Sequence, residues 1–256
     1  MKNFIFVFLI YLVQPLCAQP CCTDTLVVGT ASGYAPYVSL NTAGCYEGFD
    51  IDVASLLAEK LNKSLVIKDF GTMPCLMLAL KQKKVDVLIW AIDITKERLE
   101  KMAMIYYHGP KIVEMPLLFW QTIPSNISSL ESLAEDPRCV IAVEAGTSQE
   151  GIFRSIPGLQ LKYKDSIMDV ILELKYGKCF TTTVDASILP RLTTLYPEIN
   201  VLKVPLPKDE QILGHGICVN KDNKELIEQI QTAVDAMIAN GDIANLEQKW
   251  QLKKDQ

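Results

Sequence analysis

The sequence predicts an α/β fold, and three observations carry that prediction. Short apolar runs alternate with segments whose apolar residues recur at helical spacing, several runs end on a charged residue or a glycine turn, and the first half reads strand, helix, strand, helix, strand. That order predicts a mostly parallel sheet covered on both faces, with ligands held beyond the strand ends.

The first 18 residues have the layout of a secretory signal: Lys2, an apolar block from Phe4 to Val13, a breaker at Pro15, then Leu16-Cys17-Ala18. The block is too short to span a membrane, and no later stretch reaches about 18 uncharged apolar residues. Export with cleavage near Ala18 is expected. A free soluble form is favoured over a lipid-anchored one, because the residues before Cys17 and Cys21 fit a bacterial lipobox poorly.

Thr25 to Thr30 reads as the first strand, Gly33 to Pro36 as a loop, and Tyr37-Val38 with Gly44 to Gly48 as a hairpin-like excursion. Val53, Ala54, Leu57 and Leu61 then mark one buried helix face. Leu65 to Ile67 is a strand and Cys75 to Leu80 a helix, closed by the cations of Lys81-Gln82-Lys83-Lys84. Val85 to Asp93 reads as one continuous buried strand, after which Thr95-Lys96-Glu97-Arg98 opens a helical turn. Gly109-Pro110 breaks the pattern, so the extended run from Lys111 to Trp120 is expected to be a crossing between two halves. A second cycle follows: strand 139–143, helix from Gln149, strand near 159–163, helix 166–176, strand 179–184 and a helix after Asp185. Gly214 to Val219 is read as a second crossing, and two helices, Leu226 to Asn240 and Ile243 to Trp250, finish the chain at the Asn240-Gly241 stop.

A formal charge of −5 with 49% hydrophobic residues describes an ordinary globular chain, and no basic cluster suggests nucleic acid. Of eight cysteines, cleavage after Ala18 leaves seven, an odd number in an oxidising compartment. A bridge from Cys21 or Cys22 to Cys45 is expected, and Cys75, Cys139, Cys179 and Cys218 are expected to be buried thiols. No spacing indicates a metal or other cofactor.

Three features together suit a zwitterion: Arg98 past a strand end, the turn Gly146-Thr147-Ser148-Gln149 after another, and Asp185 closing a third. Singly they have ordinary readings: a surface ion pair, a common α/β turn, a helix cap.

The chain resembles the exported solute-binding proteins for polar amino acids that serve ABC importers, family 3. The resemblance rests on Val28-Gly29-Thr30 with Tyr34-Ala35-Pro36-Tyr37, Gly48-Phe49-Asp50-Ile51-Asp52, Ile94-Thr95-Lys96-Glu97-Arg98, Tyr106-Tyr107, Ala142 through Ser148, and Ile243 through Trp250, in order along nearly the whole mature chain. It implies a type II periplasmic binding protein fold, with two α/β lobes joined by two crossing hinge strands. Lobe 1 would hold residues 23–108 and 216–256, lobe 2 residues 112–212, with hinges near 106–112 and 211–216. Matched by position, Arg98 would clamp the ligand's α-carboxylate, helped by Thr147 and Ser148, and Asp185 would accept its α-ammonium. Tyr34 and Phe70 would be aromatic walls, Gln149 a polar contact, and Ala91 part of the same lining.

Departures from the family pattern fall at Asp93, where Thr or Ser is usual, and at Trp90, where a small residue is usual; Ala31 stands where an acid is common. Asp93 would either compete for Arg98 or serve as a second acceptor for the ammonium. Trp90 and Glu144 would face the ligand's side chain, favouring glutamine or a basic amino acid. His108 and His215 fall near both crossings, which permits a hinge sensitive to mild acid, packing or capping being the plainer role. The expected protein is a periplasmic monomer that is not an enzyme, partnered by a small ligand and an ABC permease and not by nucleic acid. The alternatives are an enzyme of the same fold, a periplasmic dehydratase acting on cyclic acids with Glu144 or Asp93 as general acid or base, or a binder of some other small carboxylate.

Overall fold

The computed structural model describes residues 24–252, so the expected signal segment and Cys17, Cys21 and Cys22 lie outside the described residues. In chain order the elements of the first part are β1 (Thr25–Thr30), β2 (Ser39–Leu40), β3 (Tyr46–Glu47), α1 (Phe49–Lys60), β4 (Ser64–Asp69), α2 (Met73–Lys81), β5 (Val87–Leu88), α3 (Lys96–Lys101) and β6 (Ala103–His108). There follow β7 (Glu114–Trp120), α4 (Leu130–Glu135), β8 (Val140–Glu144), α5 (Ser148–Arg154), β9 (Gln160–Lys164), α6 (Ile167–Lys175), β10 (Thr181–Thr183), α7 (Leu189–Leu195) and β11 (Ile199–Pro205). The chain ends with β12 (His215–Val219), α8 (Lys224–Ala239) and α9 (Asp242–Lys249).

The strands form two five-stranded sheets, β4-β1-β5-β12-β6 and β11-β7-β10-β8-β9. The two α/β lobes expected are present, one sheet in each, but each sheet is mixed rather than wholly parallel. In each, four strands run one way and one is reversed: β12 is antiparallel to β5 and β6, and β7 is antiparallel to β10 and β11. Each reversed strand is the first that the chain enters after passing between sheets. The two runs read as crossings, 111–120 and 214–219, are thus mostly these buried sheet strands. The passages themselves precede them, at about Gly109 to Val113 and Leu206 to Gly214, and Ile112 and Ile212 pair there by backbone hydrogen bonds of 2.8 and 3.1 Å.

One apolar core lies in the first lobe, where Leu26, Val53, Leu57, Leu88, Ile230 and Val234 pack around the sheet. The second lobe has a core on each sheet face, around Phe119, Ile141 and Phe153 on one and Leu118, Ile171 and Leu174 on the other. Of the expected buried thiols, Cys139, Cys179 and Cys218 are buried, whereas Cys75 is exposed on the outer face of α2. Cys45 is an exposed free thiol, and its expected partners lie outside the described residues.

The strand predicted over 85–93 is a regular strand over Val87–Leu88, with an isolated bridge from Asp93 to His215. Beyond Leu88 the backbone turns at Ala91, which holds φ +43, a costly conformation for a residue with a Cβ. Buried Asp50 holds this turn: Oδ2 accepts from the Ala91 N–H at 2.7 Å and Oδ1 from the Tyr107 hydroxyl at 2.6 Å. Burial pushes the Asp50 carboxyl up to about 6, against the lowering effects of Tyr107, His215 and the Ala91 N–H. Gly214 is fixed by contact: it adopts φ +92, and a Cβ there would lie 2.8 Å from the Gly109 carbonyl oxygen.

Removing Asp50 strands two buried donors, each costing about 1–3 kcal/mol. Asp50→Ala is expected to lower unfolding free energy by roughly 2–4 kcal/mol in urea titration. A loss well under ~1 kcal/mol would mean that the turn at Ala91 is held by something else.

Candidate functional site

Residues from both lobes converge on one cavity. It is lined by Tyr34, Trp90, Ala91, Asp93 and Arg98 from the first lobe and by Val143, Glu144, Thr147, Ser148, Gln149, Thr183 and Asp185 from the second, with Met73, Ile167 and Val170 completing the wall. The space is ≈ 50 Å³, roughly the room for four water molecules, so an amino acid entering it must displace contacts between the lobes. A larger space of ≈ 640 Å³ shares Arg98, Thr147 and Ser148 with it and runs between α3 and α5.

Each polar side chain is aimed by local structure. Thr95 caps α3, its hydroxyl accepting from the Arg98 N–H at 3.2 Å, which sets Arg98 on the inner turn. The buried guanidinium donates from Nη1 to the Asp93 carbonyl and from Nη2 to the Gly146 carbonyl, both at 2.9 Å. One arginine thus spans the two lobes. Thr147 caps α5 in the same manner, accepting from Glu150 N–H at 3.2 Å while its hydroxyl donates to the Glu144 carbonyl at 2.8 Å. The Ser148 hydroxyl crosses to the Asp93 carboxylate and makes a short contact with Oδ2.

Asp93 therefore does not compete for the guanidinium through its carboxylate, since Arg98 takes its backbone carbonyl instead. The carboxylate faces His215, which the sequence placed at a hinge. Strand β12 brings it here, because Ile94 N–H donates to the Gly214 carbonyl and Gly216 N–H to the Ile92 carbonyl, both at 2.8 Å, setting Asp93 opposite His215. His215 Nε2 lies 3.5 Å from Asp93 Oδ1 and 3.3 Å from Asp185 Oδ2 on the other lobe. Burial alone would lower the imidazole, but its bonds to Asp185 and then Asp93 prevail and raise it to about 10. Burial likewise favours a neutral Asp185, and His215 with Ser187 outweighs this, holding that carboxyl well below its usual range. Asp93, Asp185 and His215 also have donor atoms all within 4.8 Å of one another, which is close enough to hold a metal ion. A protonated imidazole cannot ligate, so the proton and a metal would compete for this place.

His108 lies 5.4 Å ring to ring from His215 and behaves oppositely. Burial lowers its pKa, with His215's charge acting in the same direction, and Nδ1 meets Glu247 at 2.7 Å.

On the far side of the cavity, burial pushes the Glu144 carboxyl up to about 7. Tyr34 and Trp90 stand edge to face at 5.6 Å beside it. Trp90 Nε1 and Thr183 Oγ1 are buried with no hydrogen-bond partner among the described residues. Phe70, expected as a second aromatic wall, does not line the cavity: its N–H is tied to the Thr30 carbonyl at 2.9 Å and its ring packs on the first-lobe core. Sequence reading missed Asp50 as a positioning group and Thr183 in the lining. The acid in Gly48-Phe49-Asp50 was a visible signal for the first, whereas Thr183 sits in a run of three threonines that alternation cannot orient.

The model of bacterial extracellular solute-binding proteins, family 3, matches residues 26–253. The probable arginine-binding ABC transporter protein ArtJ of Chlamydia trachomatis is 32% identical over 232 residues, covering 90% of this chain and 87% of that one. The histidine-binding periplasmic protein of Salmonella typhimurium is 25% identical, covering 87% and 86%. Among solved structures, an ancestral arginine-binding protein bound to arginine superposes with TM-score 0.76 at 25% identity, covering 90% of this chain and 99% of that one. An ancestral amino-acid-binding precursor of cyclohexadienyl dehydratase superposes at 0.74 with 24% identity, covering 89% and 95%, a likeness of fold.

The buried ion pair has a defined pH signature. A raised imidazole stabilises the folded state fully below its unfolded value near 6.5, and that contribution is lost as pH rises through about 10. A depressed Asp185 contributes above its ordinary value near 3.8 and is lost as pH falls through the folded value. In calorimetric melts the His215→Gln variant should lose stability relative to wild type most strongly between about pH 4 and 6.5 and approach it above pH 10. A pH-independent difference would contradict the assignment of charge to His215.

Proposed function

The chain belongs to family 3 of the bacterial extracellular solute-binding proteins, and from that premise we propose that the amino acid it captures for an ABC importer is arginine or a similarly cationic one. Glu144 is the observation that supports this reading. A carboxyl held near 7 by burial has no cationic partner among the described residues, and a guanidinium or ammonium arriving there would favour its ionised form. Tyr34 and Trp90 offer ring faces to the same cation, and Thr183 Oγ1 and Trp90 Nε1 offer unspent hydrogen-bonding capacity. Glutamine would leave Glu144 without a countercharge.

At the other end Arg98 would exchange backbone carbonyls for the ligand's α-carboxylate, a stronger, charge-assisted and bidentate partner. Asp185 would take the α-ammonium from the second lobe. Because Arg98 and Asp93 come from one lobe and Ser148, Glu144 and Asp185 from the other, a bound amino acid stabilises the closed arrangement by contacts that an open one lacks. The transporter partner would then read closure, from the periplasmic side of the membrane and with the protein acting as a monomer.

A second reading has one observation in its favour. A carboxyl near 7 in a closed cavity also suits a general acid or base, as a dehydratase of this fold would need. Chromatography after prolonged incubation separates the two, since a binding protein returns its ligand unchanged.

Thermal-shift titration near pH 7.5 is expected to show arginine raising the melting temperature by roughly 5–10 °C at a hundredfold excess over Kd, more than glutamine does. Arg98→Ala should remove that shift, and a surviving shift would place the carboxylate elsewhere. Glu144→Gln should weaken arginine by about 10- to 100-fold while leaving glutamine nearly unchanged, as expected for losing a hydrogen bond to a charged group. Equal weakening of both ligands would count against a cation subsite at Glu144.

A further inference from the structure

The acid pair that should receive a ligand's α-ammonium is already engaged by the chain itself. Asp185 Oδ1 accepts from Ser187 N–H at 2.7 Å, and Asp93 Oδ2 accepts from Ser148. The two remaining oxygens, Asp93 Oδ1 and Asp185 Oδ2, face one nitrogen, His215 Nε2, at 3.5 and 3.3 Å. All three residues are buried, at 6%, 9% and 3% exposure, so water does little to screen the attraction. Asp93 and His215 share the first lobe and Asp185 belongs to the second, so the imidazole links the lobes in the way an ammonium between the same acids would.

We propose that His215 is an affinity-determining residue that substitutes for the ligand's α-ammonium: it bridges Asp93 and Asp185 to close the cleft without a ligand, and capture proceeds by exchange, the ammonium taking Asp185 while His215 falls back on Asp93. Charge balance supports retention of the imidazole proton during the exchange. Two carboxylates with one imidazolium leave a net charge of −1, which a single ammonium neutralises, whereas releasing the proton would leave that charge buried. The same balance accounts for Asp93: an extra acid is tolerable in this cleft because His215 accompanies it.

Three other groups face the imidazole from neighbouring elements. Asp50, from α1, is a buried acid whose carboxyl is raised to about 6 by burial, with Tyr107, His215 and the Ala91 N–H acting against that rise. Tyr37, ahead of α1, presents a ring at 5.6 Å nearly perpendicular to it, and His108, from β6, has its pKa lowered in part by the His215 charge. Closing the cleft with an internal cation reduces apparent ligand affinity by the fraction of molecules already shut.

The exchange half of this proposal rests on the amino-acid site above; the closure half does not, and the test separates them. Small-angle X-ray scattering of the ligand-free protein at pH 7 should give the compact radius of gyration expected for joined lobes. His215→Gln should be measurably larger. Asp93→Ser/His215→Gln, which removes the buried acid together with its cation and so guards against misfolding from an uncompensated charge, should be larger as well. Both should contract on adding arginine, and calorimetric titration should show arginine binding about 3- to 10-fold more tightly to the double variant than to wild type. Ligand-free radii equal to wild type in both variants would overturn the closure claim, and weaker arginine binding by the double variant would overturn the exchange. If arginine fails to bind wild type while the scattering difference persists, the ligand assignment fails and closure by His215 stands.

Discussion

A buried acid on each side of a cleft, with a cation between them, is the constraint on which this molecule depends. Charges removed from water are tolerated only when each has a partner and its remaining lone pairs are satisfied. Asp185 meets that condition through His215 and Ser187, and Arg98 through two carbonyls, one on each lobe; Asp93 meets it in part, with Ser148 on Oδ2 and the His215 charge 3.5 Å from Oδ1, an oxygen that has no hydrogen bond among the described residues. The polar contacts that join the lobes are the same ones that an amino acid would replace under the proposed function, which would make binding and closure one equilibrium.

The fold serves this by bringing the ends of strands and the first turns of short helices to the site. The chain leaves β5 after two paired residues, is bent at Ala91 by Asp50, and runs beside the entry to β12, which puts Asp93 and His215 side by side. Strands β8 and β10 end on Glu144 and Thr183 of the second lobe, so Glu144 and Asp185 lie at or just beyond neighbouring strand ends. The two reversed strands, β7 and β12, follow the two passages between lobes, and backbone pairing of Ile112 with Ile212 joins those passages.

Much of this was legible in the sequence. The alternation of elements and both terminal helices follow from apolar periodicity; Arg98, the turn before α5 and Asp185 stood out at strand ends, and their convergence was what the family resemblance implied. The run Val85 to Asp93 misled because its residues are buried on all sides, as in a central strand, while its backbone departs from the sheet; burial is written in side chains, but the turn is made by a distant acid, Asp50. Reversed strands cannot be told from parallel ones by composition, which is why a mostly parallel sheet was expected where each sheet is mixed. Phe70 was placed by family likeness, and its local tie to Thr30 turns it into the core. The partnership of Asp93 with His215 joins residues more than a hundred positions apart, and only the antiparallel approach of two loops brings them together.

A crystal structure of the protein grown with arginine tests the central claim most directly. The account predicts the α-carboxylate on Arg98, the α-ammonium on Asp185 with His215 retained by Asp93, and the guanidinium against Glu144 between Tyr34 and Trp90. An arginine bound in the reverse direction, or outside this cleft with His215 still joined to Asp185, would contradict it.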